Sequence, residues 1–332
     1  MSTLRTLTRL SQPDLLSILD LSPPEVEGLL ELAQLMKARP EEFRHALAGK
    51  QLVLIFEKPS LRTRVTFEIG MASLGGGSLF LDHTRGPLDA REKLCDIARN
   101  LERWVDGIVL RTFAHQTVAE MAAHAAVPVI NGLSEREHPC QALADYFTLQ
   151  EKFSDLRKVK LAFVGDGNNV AHSLLLTAAL LGSRMSVATA PGYEPAEDIV
   201  AAAREIATRT GARLEVTHDC LAAVAGADAV YTDVWASMGQ EAEADARRAV
   251  FAPYQVNEEL MSRAAPHALF LHCLPAHRGQ EVTDAVMDSP QAVVYDQAEN
   301  RLHVQKAILL LLLGNPALRD RPAPRSRGSA RG

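Results

Sequence analysis

The feature that most constrains this chain is a regular exchange of short apolar runs with helical patterns. It begins at QLVLIF (51–56) and continues through SLFLDH (78–83), GIVLRTF (107–113) and VPVINGL (127–133), all of which read as buried strands. Helical segments fall between and after them, at about 62–74, 90–104, 116–125 and 138–152. A polar EKFSDLRK near 150–158 interrupts the rhythm, which then resumes. KLAFVGDG, MSVATAP, RLEVTHD, AVYTDVW, LFLHCLP and AVVYDQ read as strands, separated by helices such as 170–182 and 195–210. Repeated βα alternation of this kind makes parallel sheets covered on both faces. The expected fold is therefore α/β, with two doubly wound parallel-sheet domains and a site in the cleft between them. The expected division is 1–150 and 151–298, with a last helix over 299–314 rejoining the first domain. The tail 316–332, rich in Arg, Pro and Gly, is expected to be disordered.

Composition narrows the function. The 332 residues carry a formal charge of -6, which argues against a general nucleic-acid or anionic-membrane binder and makes any basic site local. The four cysteines (Cys95, Cys140, Cys220 and Cys273) show no metal-type spacing and read as free thiols of a reducing compartment. The N-terminus lacks the pattern of a signal peptide. The longest apolar block, AILLLLLG, falls well short of the roughly 20 residues of a membrane span. A cytoplasmic protein is the expectation.

FEKPSLRTRVTFE (56–68) runs from a strand through a short loop into a helix, with Arg62 and Arg64 in its first turn. Backbone N–H groups and the dipole at a helix N-terminus favour an anion. Ser60, Thr63 and a bidentate Arg62 could add to them. The same stretch also fits a capped helix with solvated arginines, its Leu61, Val65, Ile69 and Ala72 following helical spacing toward the core. EHPCQALADYF places His138 and Gln141 three apart on one face of a helix start. TDVWASMGQEAE follows a strand with Asp233, Ser237 and Met238, and FLHCLPAHRG ends another with Cys273. A lone histidine or a strand-end cysteine is commonly structural. Together, however, these stretches gather at carboxyl ends of strands, where open α/β sheets build their sites.

In combination they resemble the aspartate/ornithine carbamoyltransferase family, over about residues 5–314. Ser60–Arg64 matches the family's Ser-Thr-Arg-Thr-Arg motif with one change, and His138, Pro139 and Gln141 match His-Pro-x-Gln. Asp233, Trp235, Ser237, Met238 and Gly239 match the ornithine branch's Asp-x-Trp-x-Ser-Met-Gly loop. His272–Pro275, the Asn169 of GDGNN, and Ala298–Asn300 with Arg301 complete the set. The resemblance implies carbamoyl transfer from carbamoyl phosphate to the δ-amine of L-ornithine, by direct attack and without metal or organic cofactor. It implies carbamoyl phosphate on Ser60, Leu61, Arg62, Thr63, Arg111, His138, Gln141, Cys273, Leu274 and Arg301. Ornithine would lie on Asn169, Asp233, Ser237 and Met238, with Arg62, Arg111, His138, Asp233 and Cys273 serving the chemistry. It implies a homotrimer with sites near subunit interfaces, and neither nucleic acid nor membrane as a partner.

Two departures stand out. Leu61 replaces the family threonine, and no phosphate-binding glutamine stands near Thr84, where Arg85 or Arg91 could substitute. A hydrophobic second residue in the phosphate motif also occurs in enzymes of N-acetyl- and N-succinylornithine. That substrate, and a non-catalytic paralogue, stay open as alternatives. A nicotinamide-dependent oxidoreductase does not fit, because Val170 stands where the third glycine of G-x-G-x-x-G belongs.

Overall fold

The structure is a computed structural model that describes residues 7–236, 239 and 241–314. Helix α1 (Pro23–Ala38) precedes a first half made of β1 (Gln51–Phe56), α2 (Leu61–Ser73), β2 (Gly77–Asp82), α3 (Leu94–Leu101), β3 (Gly107–Arg111), α4 (His115–His124), β4 (Val129–Leu133) and α5 (Pro139–Lys152). The second half runs through β5 (Lys160–Val164), α6 (Asn169–Leu181), β6 (Arg184–Ala188), α7 (Glu197–Thr210), β7 (Arg213–Thr217) and α8 (Cys220–Val224). It continues with β8 (Ala229–Thr232), α9 (Ala244–Phe251), α10 (Glu258–Met261), β9 (Leu269–His272), α11 (Asp284–Met287) and α12 (Val294–Leu313). All ladders are parallel, in the orders β2-β1-β3-β4 and β7-β6-β5-β8-β9. The α/β expectation of two parallel sheets therefore holds.

The central strands are apolar on both faces, as strands covered by helices on each side must be. Leu52–Phe56 and Ile108–Leu110 are buried throughout. The edge strand β2 differs from the buried strand that its sequence implies. It pairs only with β1 and is half exposed, with Leu79 58% accessible. Helix α6 is buried along nearly its whole length because it lies between α5, α7 and α1. Glycines in the left-handed region end α6 and α7 (Gly182, φ 67; Gly211, φ 81), a conformation that costs L residues more.

Three local expectations fail for physical reasons. AVVYDQ is not a strand, since Val294 opens the 20-residue α12 and only Ala292 bridges to Phe270. A short buried apolar run has no period that separates strand from helix, and Val293 and Val294 are buried in either case. The last helix accordingly begins five residues earlier than 299, at Val294. The stripe Leu61–Val65–Ile69 faces outward, not to the core, at 75%, 44% and 52% exposure. Thr63, Phe67, Gly70 and Met71 form the buried face of α2, with Gly70 against Leu302, Lys306 and Leu309 of α12. The predicted helix over 90–104 is the shorter α3, preceded by a single turn at Leu88–Ala90. The tail 316–332 lies outside the described residues.

Helix α12 returns from the end of the chain to pack on α1, α2 and α5. It thus shares the core of the first sheet, and one continuous apolar cluster runs from Leu54 and Phe56 through Leu143 and Leu174 to Leu161 and Leu312. Leu309 has no accessible surface in this cluster. Leu309→Ala is therefore expected to destabilise the chain by about 2–5 kcal/mol. Urea unfolding followed by circular dichroism measures this, and an unchanged midpoint would mean that α12 does not hold the core.

Candidate active site

The carboxyl ends of β1, β3, β5, β8 and β9 open onto one cavity of about 470 Å³. Its wall includes Lys58, Ser60, Leu61, Arg62, Arg111, His138, Gln141, Asn169, Asp233, Cys273, Leu274, His277 and Arg301. The strand and helix termini that align these groups belong to both sheets, as the rule for open α/β sheets leads one to expect.

On one side the site is strongly cationic. Ser60 caps α2, its hydroxyl accepting from the Thr63 N–H at 3.2 Å, so the first-turn N–H groups of Leu61 and Arg62 remain as orphan donors. Arg111 ends β3 at a register shift. There Leu110 pairs with Asn131 but Arg111 pairs with Leu133, so Gly132 is the extra residue of a bulge that re-aims the strand end. A Cβ on Gly132 would sit 3.1 Å from the Leu110 carbonyl oxygen, so the bulge suits a glycine. Arg301 comes from α12 and donates to Gln141 Oε1 at 2.6 Å and to Thr63 Oγ1 at 2.8 Å. Thr63 itself stands behind the wall, its hydroxyl engaged by Arg301. Among the described residues, neither Arg62 nor Arg111 makes an ion pair, and Nε of Arg111 and of Arg301 has no hydrogen-bond partner.

Burial, then the neighbouring Arg301, pushes Arg111 down from its usual value to about 9, which leaves it charged at neutral pH. Burial lowers Arg62 and Arg301 as well. Burial, Arg301 and Arg111 together hold His138 well below the usual histidine value, so its ring is neutral. His138 N–H donates to Ser173 Oγ at 2.9 Å, and its Nδ1 is enclosed without a hydrogen-bond partner.

Opposite lies a polar group with a negative centre. Asp233 accepts from Asn168 Nδ2 and from its neighbour Val234 N–H, each at 2.8 Å, and from the Cys273 thiol at 3.0 Å. Burial and then Asp233 raise the Cys273 pKa well above the ordinary thiol value, so it is a proton-bearing thiol and not a nucleophilic thiolate. Asn168 was not among the expected residues. It is the N-cap of α6, and its side chain also accepts from the Val170 and Ala171 N–H groups. Asn169 reaches the cavity wall and donates to the Ser134 carbonyl at 2.6 Å. Gly167 allows this turn, because a Cβ there would lie 2.4 Å from Pro195 N.

Leu274 adopts φ 59, a strained conformation for a branched side chain, and its N–H is held by His272 Nδ1 at 2.8 Å. His272 Nε2 faces Glu281 at 3.3 Å. Asp233, His272 and Cys273 offer ligand-type atoms within 4.8 Å of one another, but both imidazole nitrogens are already engaged. Ser237 and Met238 lie outside the described residues. Arg85 and Arg91, the candidate replacements for the missing glutamine, are exposed and do not line the cavity of their own chain. Lys58, on the wall and stacked 4.4 Å from the Phe113 ring centroid, was missed, although it sits in the opening motif.

The comparisons with known proteins agree with this geometry. Residues 13–151 match the family model described as aspartate/ornithine carbamoyltransferase, carbamoyl-P binding domain, and residues 157–312 match its Asp/Orn binding domain. An ornithine carbamoyltransferase from Carboxydothermus hydrogenoformans is 54% identical over 303 residues, covering 91% of this chain and 97% of that protein. One from Pyrococcus abyssi is 52% identical over 306 residues, covering 91% and 96%. The solved ornithine carbamoyltransferase from Pyrococcus furiosus superposes with a TM-score of 0.88 at 51% identity, covering 92% of this chain and 97% of that one.

If the Asp233 carboxylate holds the proton on Cys273, Asp233→Asn will speed alkylation of that thiol by iodoacetamide at pH 8. Peptide mass spectrometry of Cys273 reads the rate, and equal rates in both proteins would assign the suppression to burial alone.

Proposed function

The chain belongs to the aspartate/ornithine carbamoyltransferase family, and on that premise we propose that it transfers the carbamoyl group of carbamoyl phosphate to the δ-amine of L-ornithine, giving L-citrulline and phosphate. The observation that carries this reading is the group of cations, half-buried Arg62 with buried Arg111 and Arg301, which line the cavity without an ion pair among the described residues, across from Asp233 and Cys273.

Residues 1–150 with the last helix hold carbamoyl phosphate, and residues 151–298 hold ornithine. The phosphate rests on Ser60, the free N–H groups of Leu61 and Arg62, and the Arg62 guanidinium. The carbonyl oxygen faces Arg111 and neutral His138, with Thr63 acting through Arg301. These donors stabilise the negative charge that grows on that oxygen as the amine attacks. Gln141 accepts from the carbamoyl NH2, and Cys273 with Leu274 closes that end of the cavity. Ornithine is fixed by Asn169, Asp233, Ser237 and Met238, its δ-amine near Asp233 and Cys273. An uncharged amine is needed for attack, and a dry cleft favours it over ammonium. The N–C bond forms, the C–O bond to phosphate breaks, and the surplus amine proton leaves with phosphate. No step calls on a metal or an organic cofactor.

The outward stripe of Leu61, Val65 and Ile69 on α2 supports contact with another copy of the chain in a homotrimer. Such a trimer brings neighbouring subunits close to the phosphate side of each site. The enzyme works in the cytoplasm; no helix among the described residues is long and apolar enough to cross a membrane. A second substrate reading, an N-acylated ornithine, is favoured only by Leu61, whose side chain points mostly to solvent.

A citrulline-forming assay that offers ornithine, N-acetylornithine, N-succinylornithine, putrescine and aspartate in parallel tests the proposal. Ornithine alone is expected to turn over; turnover of an acylated ornithine instead would revise the substrate, and silence with every amine would sink the activity. In calorimetry, Arg62→Ala should weaken carbamoyl phosphate by about 100-fold or more, since a charged hydrogen bond is worth about 1.5–3 kcal/mol and Arg62 can make two. Ile69→Glu should lower the sedimenting mass from trimer toward monomer, and an unchanged mass would place the interface elsewhere.

A further inference from the structure

Gln141 raises a question that the cavity wall alone does not answer. A glutamine amide can present either its oxygen or its NH2 to a ligand, and the two faces have opposite hydrogen-bonding character. What selects the face is a carboxylate one turn along α5, together with Arg301, whose guanidinium only donates. Asp145 has no accessible surface, and its Oδ1 accepts from Gln141 Nε2 at 2.8 Å and from Gln297 Nε2 at 2.6 Å. An ionised carboxylate only accepts, so both amides must turn their NH2 groups toward it. Gln141 Oε1 is then directed to Arg301 at 2.6 Å, and Gln297 Oε1 takes the His272 N–H at 3.0 Å.

We propose that Asp145 is a positioning residue that fixes the amide face of Gln141 toward the carbamoyl group and, through Gln297, ties the same node to the strand end that carries Cys273. The inference rests on the carbamoyl phosphate reading given above. One oxygen atom joins α5, α12 and the end of β9, and thereby the two sheets, at the point where the reacting group would sit. With Asp145 removed, both amides lose a buried acceptor, and Gln141 can rotate to present NH2 to the carbamoyl NH2, a donor facing a donor. A buried polar group that merely held helices together would affect stability and leave the choice between ligands untouched.

The groups facing Asp145 are Arg301 and Gln297 from α12, the Tyr231 hydroxyl from β8, Gln141 on its own helix, and Cys273 beyond the end of β9. Burial raises the Asp145 pKa to about 7, with the Gln141, Gln297 and Tyr231 hydrogen bonds and Arg301 opposing. As pH falls through that value the carboxyl gains one O–H donor, and the oxygen without the proton still accepts.

The test is isothermal calorimetry on the full chain with two probes, carbamoyl phosphate and inorganic phosphate, for the wild type, Asp145→Ala and Asp145→Asn. Asp145→Ala should weaken carbamoyl phosphate tenfold or more and leave phosphate within about twofold, because phosphate does not touch Gln141. Asp145→Asn, which keeps an acceptor oxygen, should recover most of the loss. Equal weakening of both probes, or of neither, in folded Asp145→Ala would overturn the positioning role and leave Asp145 a packing element. A wild type that does not prefer carbamoyl phosphate to phosphate would instead remove the underlying functional reading, and this inference with it.

Discussion

The rest of the structure is arranged around positive charge that no ion pair among the described residues neutralises. Burying a guanidinium without a partner is expensive, and a fold ordinarily avoids it or supplies a carboxylate. Here Arg62, Arg111 and Arg301 converge from α2, β3 and α12, three segments distant in sequence, on one cavity wall. Among the described residues Arg301 donates to two neutral groups, Gln141 and Thr63. The lowered pKa of Arg111, about 9, comes first from burial and then from the neighbouring Arg301. A dianion in the cavity would offset the repulsion among these arginines. Burial, and then Arg301 and Arg111, keep His138 neutral, and a neutral imidazole can polarise a carbonyl without adding a further cation.

The opposite wall has the complementary character. Asp233 brings one negative charge but shares it with Asn168, Val234 N–H and the Cys273 thiol, so it is held in place instead of being free to pair with the arginines. Asp166 behaves similarly one loop away. It pairs with Arg247 at 2.9 Å, and Arg247 also holds the Trp235 carbonyl at 3.0 Å and stacks over Tyr193. The loop after β8 is therefore anchored at its stem to the loop after β5. Charge separation across the cleft, with cations on the first sheet and last helix and anions on the second sheet, lets two substrates of different charge bind side by side.

The sequence made the architecture and most of the wall legible. Alternating apolar runs were enough for the two parallel sheets, because buried central strands such as β1 and β3 tolerate nothing else. Ser60, Arg62, Arg111, His138, Gln141, Asn169, Asp233, Cys273, Leu274 and Arg301 do share one cavity. Three things were not legible. Local period could not reveal that Val294 starts a helix. Apolar spacing on α2 matched the core equally well before it was known that α12 covers the Phe67–Gly70 face instead. Asp145 and Gln297 lie 152 residues apart and meet only in the folded chain, so no local pattern singles out either.

Leu61 shows where sequence comparison and structure weigh a departure differently. As a change in a motif it removes a hydroxyl and looks like damage to a phosphate site. In the structure it is the first residue of α2, and what that position offers an anion is a backbone N–H that every residue except proline supplies. Its side chain is 75% exposed and continues the apolar stripe of Val65 and Ile69. The substitution therefore subtracts at most one hydroxyl contact from a cradle that still has the helix terminus, Ser60 and Arg62. It adds apolar area to the exposed face of α2. A leucine at this position is better explained by what lies outside the cavity than by what lies inside it.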